Sequence, residues 1–292
     1  MEKHHFAGIY PALLTPFDKN GGINTAALAE LIEWNIEKGV DGFYVGGSTA
    51  EAFLLTEEER KLVYATAAKA ARGRVKLIAH IGAISTDEAI RYGKTVEALG
   101  YDAVSAVAPF YYKFSFEQIK KHYFDIADAV AMPMIIYNFP NFSGVNLTVE
   151  QVERFFCDER FIGIKHTSND YFALEQFKTN FPDKVVFNGF DEMLLSGLSM
   201  GADGGIGSTY NFMAEKFIAI KKLFDEGKHG EALLIQKEAN RIIKALCEVG
   251  VTEGEKEVLC QLGFDFGHAR APFSELTAEQ KKFINERITG KL

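Results

Sequence analysis

The sequence predicts an α/β fold, a (β/α)8 barrel with a C-terminal helical extension. Three observations carry that expectation. Short apolar runs alternate with longer helical patterns, there are eight such runs, and they fall within about the first 225 residues, the count and size of a closed barrel. An open doubly wound sheet is the rival. No G-x-G-x-x-G follows the first run, and ADGGIGST (202–209) is only a weak glycine-rich match, so a dinucleotide-binding sheet is disfavoured.

Taken in order, the first strand is GIYPALLTP (8–16), followed by the helical pattern NTAALAELIEWNIEKG (24–39). DGFYVGGS (41–48) precedes TEEERKLVYATAAKAARG (56–73), and VKLIAHIG (75–82) precedes STDEAIRYGKTVEALG (85–100). Asn24, Thr56 and Ser85 are N-cap residues for these helices, and Gly39, Gly73 and Gly100 mark their ends. The remaining strands are AVSAVAP (103–109), MPMIIYN (132–138), FIGIKHT (161–167), KVVFN (184–188) and ADGGIGS (202–208). After residue 225 the pattern turns wholly helical, through EALLIQKEANRIIKALCEVG (231–250) and LTAEQKKFINERI (276–288). We therefore expect a barrel over 1–225 and helices over 226–292 packed on it, with no linker between them. The Leu, Ile and Phe stripe near 217–247 reads as a packing seam.

Composition narrows the function. A net charge of −8 argues against binding to nucleic-acid phosphates or anionic lipid, which need clustered Lys and Arg, and favours a small ligand. The cysteines Cys157, Cys247 and Cys260 are widely spaced and form no C-x-x-C pair, so neither a disulfide framework nor a zinc site is indicated; three buried thiols are expected. The N-terminus MEKHHFAGIYPALL lacks an apolar h-region, His4–His5 reads as a solvated terminus, and no run of 18 apolar residues occurs. The expectation is a soluble cytoplasmic protein.

In a (β/α)8 barrel the active site lies at the C-terminal ends of the strands. Here those ends are polar: GGSTAE, PFYY, YN, KHTS, NGFDE and GST. Period-two alternation puts Phe161, Gly163, Lys165 and Thr167 on one face of the sixth strand, with Ile162, Ile164 and His166 on the other. The more apolar set should face the helices, so Lys165 points into the barrel. Desolvation there lowers an amine from about 10.4 toward neutrality and frees it to attack a carbonyl, giving a Schiff base that supports aldol chemistry without a metal. A structural lysine paired with a carboxylate is the alternative. Tyr137 shares a face with Pro133 and Ile135 and reaches the same mouth, either as a proton relay or as an aromatic filling it.

Ser48 and Thr49, at a glycine-rich passage from strand to helix, form a nest suited to a carboxylate or an ordinary turn. Asp191 and Glu192 either cap the next helix or accept hydrogen bonds from a polyol. His80 and His166 belong to no set with metal-ligand spacing, and no metal is expected.

These residues resemble the pyruvate-dependent class I aldolases of the N-acetylneuraminate lyase and dihydrodipicolinate synthase family, over essentially the whole chain. GGSTAE resembles that family's G-x-[ST]-[ST]-G-E loop, YNFP its Y-N-x-P motif and GIKHTSND its G-x-K-x-[ST]-x-x-D motif. PFYYKFSF, NGFDE and GADGGIGSTYN are similar to the N-acetylneuraminate lyase branch. By that resemblance Lys165 forms the imine, Tyr137 moves the proton, and Ser48 and Thr49 hold the substrate carboxylate. Thr167, Gly189, Asp191, Glu192 and Ser208 line the sugar end. Tyr111 reaches across the interface of a homotetramer and joins Ser48 and Tyr137 in a proton relay.

The implied reaction is reversible cleavage of N-acetylneuraminate to N-acetylmannosamine and pyruvate, with no cofactor. Dihydrodipicolinate synthases carry arginine two residues after the proline of Y-N-x-P, where a guanidinium grips a second carboxylate; here that position is Phe142. A 2-keto-3-deoxy sugar acid aldolase, a dihydrodipicolinate synthase and a silent sugar-acid binding protein stay open as alternatives. Two positions depart from the resemblance. Ala50 stands where the carboxylate loop carries glycine, so a positive φ there would cost about 1 kcal/mol, and Thr252 stands near where some lyases place an aromatic residue.

Overall fold

The computed structural model describes residues 6–292, so the His4–His5 pair lies outside the described residues. Eight parallel strands form the barrel: β1 (Gly8–Pro11), β2 (Gly42–Val45), β3 (Lys76–His80), β4 (Ala103–Val107), β5 (Met134–Asn138), β6 (Phe161–His166), β7 (Val185–Asn188) and β8 (Gly204–Gly207). The order around the sheet is β1-β8-β7-β6-β5-β4-β3-β2, and a parallel bridge between Ala12 and Tyr44 closes β1 onto β2. All eight predicted strands are present, each shorter than its apolar run, which extends into the loop at one or both ends.

The helices wrap the outside: α1 (Thr25–Glu37), α2 (Glu57–Ala71), α3 (Thr86–Ala98), α4 (Phe116–Ala129), α5 (Pro140–Ser143), α6 (Val149–Phe156), α7 (Tyr171–Asn180), α8 (Leu194–Ser199) and α9 (Tyr210–Asp225). Beyond them lie α10 (His229–Val249), α11 (Val251–Gln261) and α12 (Ala278–Arg287). Asn24 caps α1 by accepting from the Ala27 N–H, and Thr56 opens α2 with a reciprocal capping box to Glu59. Ser85 precedes α3 without a side-chain cap bond. The apolar stripe of α9 and α10, including Phe217, Ile220, Ala239, Ile242 and Leu246, is buried as a seam. No helix among the described residues is long and apolar enough to cross a membrane.

Apolar residues sort into two layers. Ile9, Phe43, Val45, Val104, Ile136 and Ile164 pack under the helices, while Tyr10, Tyr44, Ile78, Ile135, Tyr137, Phe187 and Ile206 fill the barrel interior. This alternation is the pleat of each strand.

Strand β6 departs from strict alternation. Met134 pairs with Phe161 but Ile135 pairs with Gly163, so Ile162 is an extra residue in a bulge. Phe161 consequently faces the helices, among Tyr123, Phe124 and Phe155, rather than sharing the face of Lys165. Gly163 is required on the other side of β6, because a Cβ there would overlap the Val185 carbonyl of β7. The cysteines also differ from expectation: Cys157 and Cys247 are exposed and Cys260 is half-buried, all as free thiols. Cys157 caps the end of α6 and Cys247 lies on the outer face of α10, positions that the sequence pattern does not separate from buried ones.

Candidate active site

Lys165 sits inside the barrel, 5% exposed, paired in register with Tyr137 of β5 and Phe187 of β7. Its Nζ lies 4.3 Å from the ring centroids of both Tyr44 and Tyr137. Burial lowers its pKa to about 7, against the opposing pull of the Asp191 charge. No carboxylate forms an ion pair with it among the described residues, so the structural-lysine alternative has no partner to support it.

Tyr137 is buried beside it, and burial pushes its phenol up, against the lowering influence of the Thr167 and Ser48 hydroxyls. The Thr167 side chain is itself buried, 4% exposed. Gly189 is needed beside it, since a Cβ at that position would overlap the Thr167 hydroxyl.

The helix-facing neighbour of the lysine behaves as the pleat requires. Asn138 Nδ2 donates to His166 Nδ1 at 3.0 Å, which leaves the other ring nitrogen to donate to the Asp170 carbonyl at 3.1 Å. His80 is likewise engaged: the Val107 N–H donates to its Nε2, and its Nδ1 faces the Gly46 carbonyl. Neither histidine has a free nitrogen for a metal.

Ser48 and Thr49 lie on a 3-10 turn, Ser48–Ala50, directly after β2. Ala50 is buried, but the left-handed residue of the loop is the next one, Glu51, with φ 55°. Alanine is therefore accommodated, and its carbonyl accepts from Thr15 Oγ1 at 2.8 Å. Beneath the turn, Arg60 of α2 is buried and, among the described residues, donates only to neutral groups: the Tyr64 hydroxyl and the carbonyls of Gly46, His80 and Gly82.

The opposite side of the mouth is acidic. Asp191 and Glu192 occupy a 3-10 turn, Asp191–Met193, and do not cap α8, whose preceding residue Met193 makes no side-chain cap bond. Asp191 instead accepts from the Thr209 N–H at 2.8 Å and the Thr209 hydroxyl at 2.6 Å. Burial raises it to about 6 in spite of those bonds. The turn is held from α10: Gln236 donates to the Asp191 carbonyl and Asn240 to that of Glu192. Ser208 directly follows β8 and donates to Glu255 of α11 at 2.6 Å.

Tyr111 is not brought into this site within one chain; it is 85% exposed, on left-handed backbone with φ 76°. Phe142, on α5, is 69% exposed and stacks near Phe139, with ring centroids 4.3 Å apart. An apolar cavity of about 370 Å³ opens between them and the carboxylate loop, lined by Ser48, Phe53, Phe110, Phe139 and Phe142. That volume suits a small ligand.

Sequence reasoning missed the residues that brace the site from the C-terminal helices. Lys256 of α11 forms an ion pair with Glu51 at 2.5 Å, with side chains 0% and 1% exposed, and the Arg270 N–H donates to the other Glu51 oxygen at 2.6 Å. The E of GGSTAE was available as a signal, but its partner lies 205 residues later. Removing one member of such a pair strands a buried charge, so Lys256→Met should destabilise the chain by about 3–5 kcal/mol in urea unfolding. Adding Glu51→Gln should recover part of the loss.

Comparisons with known proteins fit this geometry. The profile of the dihydrodipicolinate synthetase family matches residues 5–291. An N-acetylneuraminate lyase of Rhizobium meliloti (strain 1021) is 42% identical over 285 residues, which cover 98% of this chain and 95% of the relative. A crystal structure of CdNal from Clostridium difficile in complex with mannosamine superposes with a TM-score of 0.96 at 40% identity, covering 98% of this chain and 99% of the other. The N-acetylneuraminate lyase of Fusobacterium nucleatum complexed with pyruvate gives a TM-score of 0.95 at 41% identity, covering 99% and 98%.

Proposed function

Because the chain belongs to the dihydrodipicolinate synthetase family, we propose that it is a Schiff-base lyase that reversibly cleaves N-acetylneuraminate to N-acetylmannosamine and pyruvate. The observation that carries the reading is the Lys165 amine, buried, without an ion-pair partner among the described residues and lowered to about 7. At neutral pH a large share of it is the free nucleophile.

In the cleavage direction the open-chain keto sugar condenses with Lys165, and water leaves as the iminium forms. Tyr137 takes the C4 hydroxyl proton. Its raised pKa makes a standing phenolate unfavourable, so as that proton arrives the phenol releases its own, which the Ser48 hydroxyl relays to the substrate carboxylate. The C3–C4 electron pair then moves into the iminium, leaving the aldehyde sugar and an enamine. Reprotonation of the enamine carbon and hydrolysis release pyruvate and restore the amine.

The two sides of the mouth fit the two ends of this substrate. Ser48 and Thr49 hold the carboxylate, while Asp191, Glu192, Ser208, Gly189 and Thr167 take the sugar. Acceptor-only carboxylates bind hydroxyl donors and repel a second anion, and the exposed Phe142 offers no grip for one. We place the enzyme in the cytoplasm as a homotetramer in which Tyr111 completes the relay of a neighbouring subunit; the exposed ring of Tyr111 supports this. Residues 226–292 then serve the barrel of residues 1–225 rather than forming a separate unit, a division supported by the Glu51–Lys256 pair.

Borohydride treatment in the presence of pyruvate tests the reading. A single pyruvyl adduct on Lys165 is expected by mass spectrometry, and its absence would sink the proposal. Pyruvate release should be faster from N-acetylneuraminate than from 2-keto-3-deoxygluconate; the reverse order would reassign the substrate.

A further inference from the structure

Glu255 stands apart from the residues that the sequence motifs single out. It lies on α11, in the C-terminal extension, with 1% of its surface exposed. Its Oε1 accepts from the Ser208 hydroxyl at 2.6 Å. No cation pairs with it among the described residues, because the adjacent Lys256 turns to Glu51. At the next position of β8's end the same arrangement recurs: the Thr209 hydroxyl donates to the buried Asp191 at 2.6 Å. Two consecutive hydroxyl residues are thus each tied to a buried carboxyl, on the acidic side of the mouth.

A serine hydroxyl has one proton and two lone pairs. When the proton is committed to Glu255, the oxygen can only accept from anything else that approaches. We propose that Glu255 is a positioning residue for the sugar end of the pocket, fixing the Ser208 hydroxyl as an acceptor for a substrate hydroxyl. The inference rests on the lyase reading above and names the group that orients one of its contacts. Burial raises Glu255 to about 8, the Ser208 bond opposing and the Asp191 charge adding to the shift. Packing alone does not explain an acid here, since a buried leucine would fill similar space without the cost of desolvating a polar group.

The test compares Glu255→Leu, which removes the acceptor, with Glu255→Gln, which keeps one. With N-acetylneuraminate, Glu255→Leu should raise KM about three- to tenfold, the loss of one hydrogen bond, with kcat within about twofold. Glu255→Gln should restore most of the KM. Ser208→Ala should raise KM similarly, and the double variant should be no worse than either single one. For a short 4-hydroxy-2-oxo acid without a polyol tail, neither Glu255 variant should change KM. Should Glu255→Leu fail to fold, Glu255→Met, unbranched and of similar length, takes its place. An unchanged KM for N-acetylneuraminate, or additive losses with Ser208→Ala, would overturn the role of Glu255 while leaving the lyase reading intact. Absence of the pyruvyl adduct in the unmodified chain would instead overturn the lyase reading, and this role with it.

Discussion

Lys165→Arg is expected to abolish both the borohydride-trapped pyruvyl adduct and turnover, lowering kcat by at least about a thousandfold. Arginine keeps a cation of similar reach but offers no free amine at any accessible pH, so the loss isolates nucleophilicity from charge. The same substitution places a permanent charge where the native amine is lowered to about 7 by burial, and a modest fall in stability should accompany the loss. The pH dependence of the wild type adds a second check. Adduct formation requires the deprotonated amine, so its rate should rise about tenfold per unit below pH 7 and level off above it. A profile that stayed flat down to pH 5, or a surviving adduct in Lys165→Arg, would remove the lysine from the chemistry.

Tyr137→Phe is the second large effect. Deleting the phenol leaves the ring that packs against Lys165, Tyr44 and Phe139, so folding and adduct formation should persist. Proton transfer at C4 should not. A fall in kcat of about 10²–10⁴ is expected, the usual size of a general acid–base contribution, with the pyruvyl adduct still trapped. Loss of the adduct together with turnover would mean that Tyr137 shapes the lysine pocket rather than moving the proton.

The two residues with these large effects were legible because they sit on strands whose period-two pattern survives to the mouth. Lys165 and Tyr137 could be placed on one face by counting alone, and the barrel rule did the rest. Counting failed at Phe161, where the bulge at Ile162 shifts the phase; pairing register depends on the neighbouring strand, and nothing local in FIGIK announces it. The bracing residues failed for a different reason. Glu255 and Lys256 lie in VTEGEKEVLCQ, a stretch whose charges read as a solvated helix face, and their burial follows only from the return of α11 to the mouth. Gln236 and Asn240 are hidden in the same way within the long polar pattern of α10. Sequence periodicity reports which side of an element is apolar, and it is silent about polar residues that meet another polar surface on folding.

The buried Arg60 sets a direction across the pocket. Among the described residues its guanidinium donates only to neutral groups on the β2 and β3 side, while the β7 and β8 side carries Asp191 and Glu192. Fixed positive charge on one flank and carboxyls on the other give the mouth an internal electric polarity. A molecule with an anionic head and an uncharged tail is turned by that field before it touches a side chain, so that it enters head toward the glycine-rich flank, and a ligand carrying negative charge at both ends meets resistance at one of them in either orientation.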